Sequence, residues 1–214
     1  MSPDPTKARR AYRLERRPFP PLWADFVLRR LVLARQDRDT VSGDLLEEYR
    51  DVIVPERGER RANRWYVVQV AGYIARGHLV WAILFAGAFL ARQAYDVFVP
   101  TTEFSVRSAV TTYTAIALLL GGGFWAAWRS GSMLAGPLAG IAITSMAAVI
   151  SIAGGGVLLA LRHDSATLSA IDNSGGVAEM FVLPIVAIGL GLILGTIGGA
   201  AGAGARQVTR IDIS

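Results

Sequence analysis

The sequence predicts an all-α integral membrane protein, with a small helical cytoplasmic head ahead of a four-helix transmembrane bundle. Composition is the first reason. Of 214 residues 52% are apolar, 23 are glycine and the mean hydropathy is +0.39, values that do not describe a water-soluble globule. Charge segregation is the second: 16 of the 22 Lys+Arg and 11 of the 17 Asp+Glu fall in residues 1–76. A polar head joined to an apolar body excludes a disordered chain, a collagen and a single soluble core. With no cysteine, the chain offers no disulfide framework, thiolate metal site or cysteine nucleophile.

Residues 1–21 read as a basic flexible leader. It carries Lys7, Arg9, Arg10, Arg13, Arg16 and Arg17 without the apolar stretch of a cleavable signal peptide. Its expected contact is anionic lipid and not nucleic acid, because the head as a whole nets only +5 and is tethered to a membrane. Residues 22–76 read as three short helices. Pro18, Pro20 and Pro21 introduce the first, on which Trp23, Phe26, Val27 and Leu31 share one side. Asp37 or Asp39 is placed to cap the second. There Leu45, Tyr49, Val52 and Ile53 form a face to bury, while Asp44, Glu47, Glu48 and Asp51 form an acidic stripe to stay wet. Pro55 and Gly58 are expected to stop it. The third begins near Glu59, sets Arg60, Arg61 and Arg64 before Trp65 and Tyr66, and either lies at headgroup level or runs into the first span.

A spanning helix needs about 20 mainly apolar residues. Charge-free intervals of 21, 32 and 26 residues occur at Ser108–Trp128, Ser130–Leu161 and Met180–Ala205. Gly77–Ala91 gives only 15, and it spans if Arg92 snorkels to the far interface. The four spans are therefore set at about 77–95, 108–128, 133–161 and 180–205, with residues 206–214 as a tail. With the head inside, 19 Lys/Arg lie on the inner side and Arg92, Arg107 and Arg162 on the outer, so both termini are expected in the cytoplasm of a bacterium's inner membrane.

No ionisable residue falls at mid-bilayer depth, which argues against proton pumps and intramembrane hydrolases. Small residues recur instead. Ala187, Gly191, Gly195, Gly199 and Ala203 form a seam in the fourth span, and Gly136, Gly140, Thr144 and Ala148 form another in the third. Such seams pack helices within the bundle or between copies of the chain. Gly121 to Gly123 and Gly154 to Gly156 mark places where a helix can kink. Four clustered carboxylates on the head would suit acid catalysis or an oxygen-ligand metal site. Their helical spacing and the lack of a nearby His favour a solvated face, or one pairing with Arg60 to Arg64. His78 and His163 fall on opposite sides of the bilayer and cannot share a metal. No phosphate-binding loop, nucleophile elbow or His-Glu-x-x-His occurs, so neither an enzyme nor a cofactor is expected.

Gly43-Asp44-Leu45-Leu46-Glu47-Glu48-Tyr49, followed after a break by Ala62-Asn63-Arg64-Trp65-Tyr66-Val67-Val68-Gln69, resembles the permease prefix domain. That domain stands at the cytoplasmic amino terminus of bacterial permease subunits of the macrolide-exporter type. The resemblance covers about residues 22–75 and rests on Gly43, Asp44, Leu45, Glu47, Glu48, Tyr49, Trp65, Tyr66 and Gln69. Val67 and Val68 stand where the family usually has Trp and Arg, and the short stretch between spans one and two leaves no room for a large periplasmic domain. What the resemblance implies is an accessory membrane protein with a permease-type head.

The expected function is non-enzymatic: the head docks a membrane transporter or a cytosolic protein through Asp44, Glu47, Glu48 and Asp51. The lipid bilayer anchors the bundle, which is free to form a homo-oligomer. The alternative is a small permease for a neutral or lipophilic solute, whose polar path would draw on Thr111, Thr112, Thr114, Thr144, Ser145, Ser151 and Thr196.

Overall fold

A computed structural model describes residues 18–98, 104–161, 169 and 176–211. Lys7 to Arg17, Glu103, Arg162, His163, Asp164 and Asp172 lie outside the described residues. Within them every regular element is helical: α1 (Leu22–Val27), α2 (Arg38–Glu48), α3 (Val54–Arg57), α4 (Glu59–Phe98), α5 (Phe104–Ser130), α6 (Ala135–Leu161) and α7 (Gly176–Ile211). Four segments are long and apolar enough to cross a membrane, namely Glu59–Tyr95, Ser108–Ser130, Ala135–Leu161 and Met180–Thr209.

The head's third helix and the first span are one helix. The boundary placed at residue 76 falls inside α4, because no proline interrupts it and Gly72 and Gly77, with open space around both, simply continue the helix. Pro55 does not stop the second helix either. It occupies the first turn of α3, where its missing N–H is harmless, and Gly58 at φ 76° makes the break. Asp37 stands at the start of α2 but makes no capping bond with its side chain.

Two wide turns alter the head's faces. α1 continues into a π-turn at Leu28–Val32, closed by Leu33 N–H donating to the Leu28 carbonyl at 3.0 Å, and α2 continues into another at Tyr49–Ile53. One extra residue per turn brings position i+4 into phase and carries i+3 out of it. Ile53 is therefore buried with Leu45 and Tyr49, whereas Val52, expected in the core, is 44% exposed. On α1 the buried residues are Ala24 and Leu28; Trp23 at 60% and Phe26 at 50% exposure face outward, contrary to the expected apolar side. Leu31 packs instead on the bundle core.

In the bundle α7 lies against both α5 and α6, and α4 lies against α6. The centre is built from small side chains, Ala126, Ala135, Ala139 and Ala147, around Phe85, Leu119 and Ile143. Large branched residues such as Val80, Ile83, Val149, Val182, Ile185 and Ile193 stand exposed around the outside. Small residues inside and bulky apolar ones outside, on four helices long and apolar enough to cross a membrane, suggest a membrane protein.

The glycine triplets break neither α5 nor α6, which run unbroken through Gly121 to Gly123 and Gly154 to Gly156. They admit neighbours: a Cβ on Gly121 would stand 3.1 Å from the Trp81 ring, one on Gly122 would stand 2.5 Å from Ile143 Cδ1, and one on Gly154 would stand 2.5 Å from Leu90 Cδ2. The third span also starts later than position 133, since Gly131 at φ 73° turns the chain and α6 begins at Ala135.

The two seams meet each other. A Cβ on Gly195 would lie 2.5 Å from the Gly136 carbonyl oxygen, and one on Gly199 2.8 Å from the Met133 carbonyl oxygen. Gly140 faces Gly191 more closely still, and Ala187 is buried one turn further along. Replacing Gly140 and Gly195 with Leu is expected to cost at least about 2–3 kcal/mol through overpacking against main chain that cannot move aside. Thermal unfolding of the purified chain in detergent checks this; melting unchanged from the wild type would place the seam outside the packed interior.

Candidate functional site

The head folds around two tyrosines. Tyr49 and Tyr66 are fully buried and meet edge to face, with ring centroids 5.8 Å apart at 84°. Each hydroxyl has a partner inside the head. Tyr49 donates to Asn63 Oδ1 at 2.6 Å, with the Phe19 carbonyl at 3.1 Å as a second acceptor, and Tyr66 donates to Asp25 Oδ1 at 2.9 Å. Asp25 also accepts from Arg29 Nε at 3.1 Å. Burial, aided by the charge of Glu59, pushes the Tyr49 hydroxyl above its ordinary ionisation range, so it remains a donor. Arg50 lies over the Phe19 ring at 4.3 Å and donates to the Pro18 carbonyl at 3.1 Å, which ties the segment before α1 to the wide turn that follows α2.

The motif residues thus divide by burial. Leu45, Tyr49 and Tyr66 are core, Trp65 and Gln69 are half-buried, and Gly43, Asp44, Glu47 and Glu48 are exposed. Gly43 has open space around it, so no close approach in this chain requires its lack of a side chain. With Asp51, which is also exposed, the acidic stripe stays on the surface of the head. Among the described residues none of these four carboxylates pairs with Arg60, Arg61 or Arg64, the pairing that the sequence leaves open. Like charges at these spacings repel by roughly 0.2–0.5 kcal/mol per pair, so the stripe carries a small folding cost.

The head is fastened to one end of the bundle. Arg38 Nη2 donates to the Ser130 carbonyl at 3.2 Å, and Ser130 in turn donates its hydroxyl to the Ala126 carbonyl at 2.8 Å. From the other side Arg206, near the end of α7, donates to the carbonyls of Trp128 and Arg129, the latter at 3.1 Å. The turn between α5 and α6 is the common anchor. Sequence reading missed this junction, treating Arg38 and Arg206 as ordinary inner-side cations. Its signals are the shortness of the turn after Ser130 and Gly131, whose absent Cβ would stand 3.0 Å from Arg206 Nη1.

The hydroxyls proposed for a solute path lie at differing depths. Thr112 and Thr114 are exposed, Thr111, Ser145 and Thr196 are half-buried, and Thr144 and Ser151 are buried; Thr144 donates back to the Gly140 carbonyl at 2.7 Å and Thr196 to the Leu192 carbonyl at 2.7 Å. A buried polar side chain passed over by a search for charges is Gln93, beside Gly155 and Met180. Among the described residues no group of three or more His, Asp or Glu is placed to hold a metal ion. No family model, curated protein or solved structure matches the chain.

Proposed function

We propose that this chain is a multi-pass bacterial inner-membrane protein with both termini in the cytoplasm. It acts without chemistry of its own, as an accessory or partner-docking component of membrane transport machinery, and its head is a permease-prefix-like domain. The observation that carries this reading is the acidic stripe: Asp44, Glu47, Glu48 and Asp51 are exposed and make no ion pair among the described residues, on a head whose opposite face is buried. A basic surface on the partner would relieve the repulsion within the stripe and steer encounter. The fastening of Arg38 to the Ser130 carbonyl supports a transmitting role, since a partner held by the head is also held to the bundle. The rival permease needs a lined polar route, and the outward or self-bonded threonines weigh against it.

Two outcomes are expected. Reporter fusions at both ends should give cytoplasmic signals, and a periplasmic signal from either end defeats the orientation. Reversing Glu47 and Glu48 to Lys should reduce site-specific crosslinking to the partner in native membranes about tenfold at low salt, with the difference shrinking as salt rises. Since neither side chain holds the head together, thermal stability should stay near wild type. Crosslinking unaffected at low salt removes this surface from the docking role.

A further inference from the structure

Where the head meets the bundle, a cavity of about 570 Å³ opens between α1, α2, the turn after α5 and the end of α7. Arg30, Arg35, Arg38 and Arg206 line it, together with Phe26 and Ser130. Gathering four guanidinium groups is unfavourable unless something offsets their repulsion. Among the described residues none of the four makes an ion pair. Asp39 acts favourably on Arg38, and Asp37 borders an adjoining hollow of about 700 Å³ that shares Arg35 and Arg206, but neither carboxylate bonds to an arginine.

Arg38 shows the imbalance most directly. Its Nη2 is held by the Ser130 carbonyl, yet its Nε is buried with no hydrogen-bond partner. Desolvation first, and then the charges of Arg30 and Arg35, hold its guanidinium below the ordinary arginine range while leaving it charged. A buried donor without an acceptor, beside three further cations, is a site short of negative charge and oxygen atoms.

We propose that this cavity binds a phosphate group, and that an anionic phospholipid headgroup supplies it. Guanidinium forks match phosphate oxygens, and two arginines already immobilised by backbone bonds lose little freedom on binding. The lipid source follows from the surroundings. Phe26, on the cavity wall, belongs to an exposed apolar strip with Leu22 and Trp23, and the adjoining hollow is bordered by Trp125 and Trp128. Aromatic groups beside arginines at the end of a spanning bundle are the signature of the headgroup level. A lipid seated there would bridge head, α5 and α7 and set the angle at which the head presents its acidic stripe.

The inference rests on the membrane reading above, and one preparation tests the two separately. Native mass spectrometry of the full chain, delipidated in detergent, should show phosphatidic acid retained about tenfold more strongly than phosphatidylcholine. Arg30→Gln with Arg35→Gln, which removes two cations that make no structural bond, should abolish that preference while leaving the melting temperature unchanged. Arg38→Gln should also lower it, with a loss of head stability that the first variant does not share. Inorganic phosphate in millimolar excess should not displace the lipid; displacement would overturn the lipid source. Equal retention of the two lipids, or an unaltered preference in the double variant, overturns the site. Alkaline extraction of membranes decides the underlying reading: a chain that stays in the membrane pellet but shows no preference refutes this inference alone, whereas one released to the supernatant refutes both.

Discussion

The contact between main chains where α6 and α7 cross sets the rest of the molecule. In hydrocarbon, apolar side chains gain little by leaving lipid for protein, so helices associate through close packing of atoms. Here that closeness depends on missing Cβ atoms at Gly136, Gly140, Gly191, Gly195 and Gly199. The same helix uses its other small residues on α5, where Gly198 and Gly202 approach the carbonyls of Leu120 and Phe124. With two sides of α7 fixed, its end is carried to the turn after Ser130, and Arg206 can reach the carbonyls of Trp128 and Arg129. The floor of the junction beneath the head is therefore a consequence of glycine placement deep in the bundle.

The four long apolar helices were legible because a single physical rule marks segments able to cross a membrane. Charges are excluded from hydrocarbon, so intervals such as Ser108 to Trp128 announce themselves, and the ends of the last three long helices moved by only a few residues, whereas the first long helix starts far ahead of its apolar interval, at Glu59. Small-residue spacing also told where backbones could meet, though it could not say which neighbour would arrive. The glycine triplets illustrate this: the same residues permit a kink or a close contact, and Trp81, Ile143 and Leu90 fill the space.

The head was less legible, for a different reason. Faces of α1 and α2 were assigned on a regular 3.6-residue period, and two π-turns break that period. Leu45 precedes the second turn and Tyr49 opens it, and both are in the core as expected; Val52, further into the turn, is not. Trp23 and Phe26 precede the first wide turn, and they face outward because α1 presents Ala24, with Leu28 one turn on, to the head core. A wide turn leaves no local mark in composition. The junction was hidden more deeply, since Arg38 and Arg206 belong to opposite ends of the sequence and meet only because α7 returns to the side of the bundle where the head sits.

Residues 22–76 number about 55, a size at which burial alone gives marginal stability. The buried core of that unit includes Ala62, Tyr66 and Val70 of α4, a helix that runs on to Phe98. Leu31 packs on the bundle, Arg38 bonds to Ser130, and Trp23 and Phe26 stay exposed. The head is thus held by a continuous helix on one side and a hydrogen-bonded junction on the other, with its acidic stripe left clear of both. A displacement at the stripe would have to bend α4 or open the arginine junction. Of these the junction is the weaker, because neutral-acceptor bonds from Arg38 and Arg206 oppose the mutual repulsion of the guanidinium groups. Whatever neutralises that cluster stiffens the link between head and bundle.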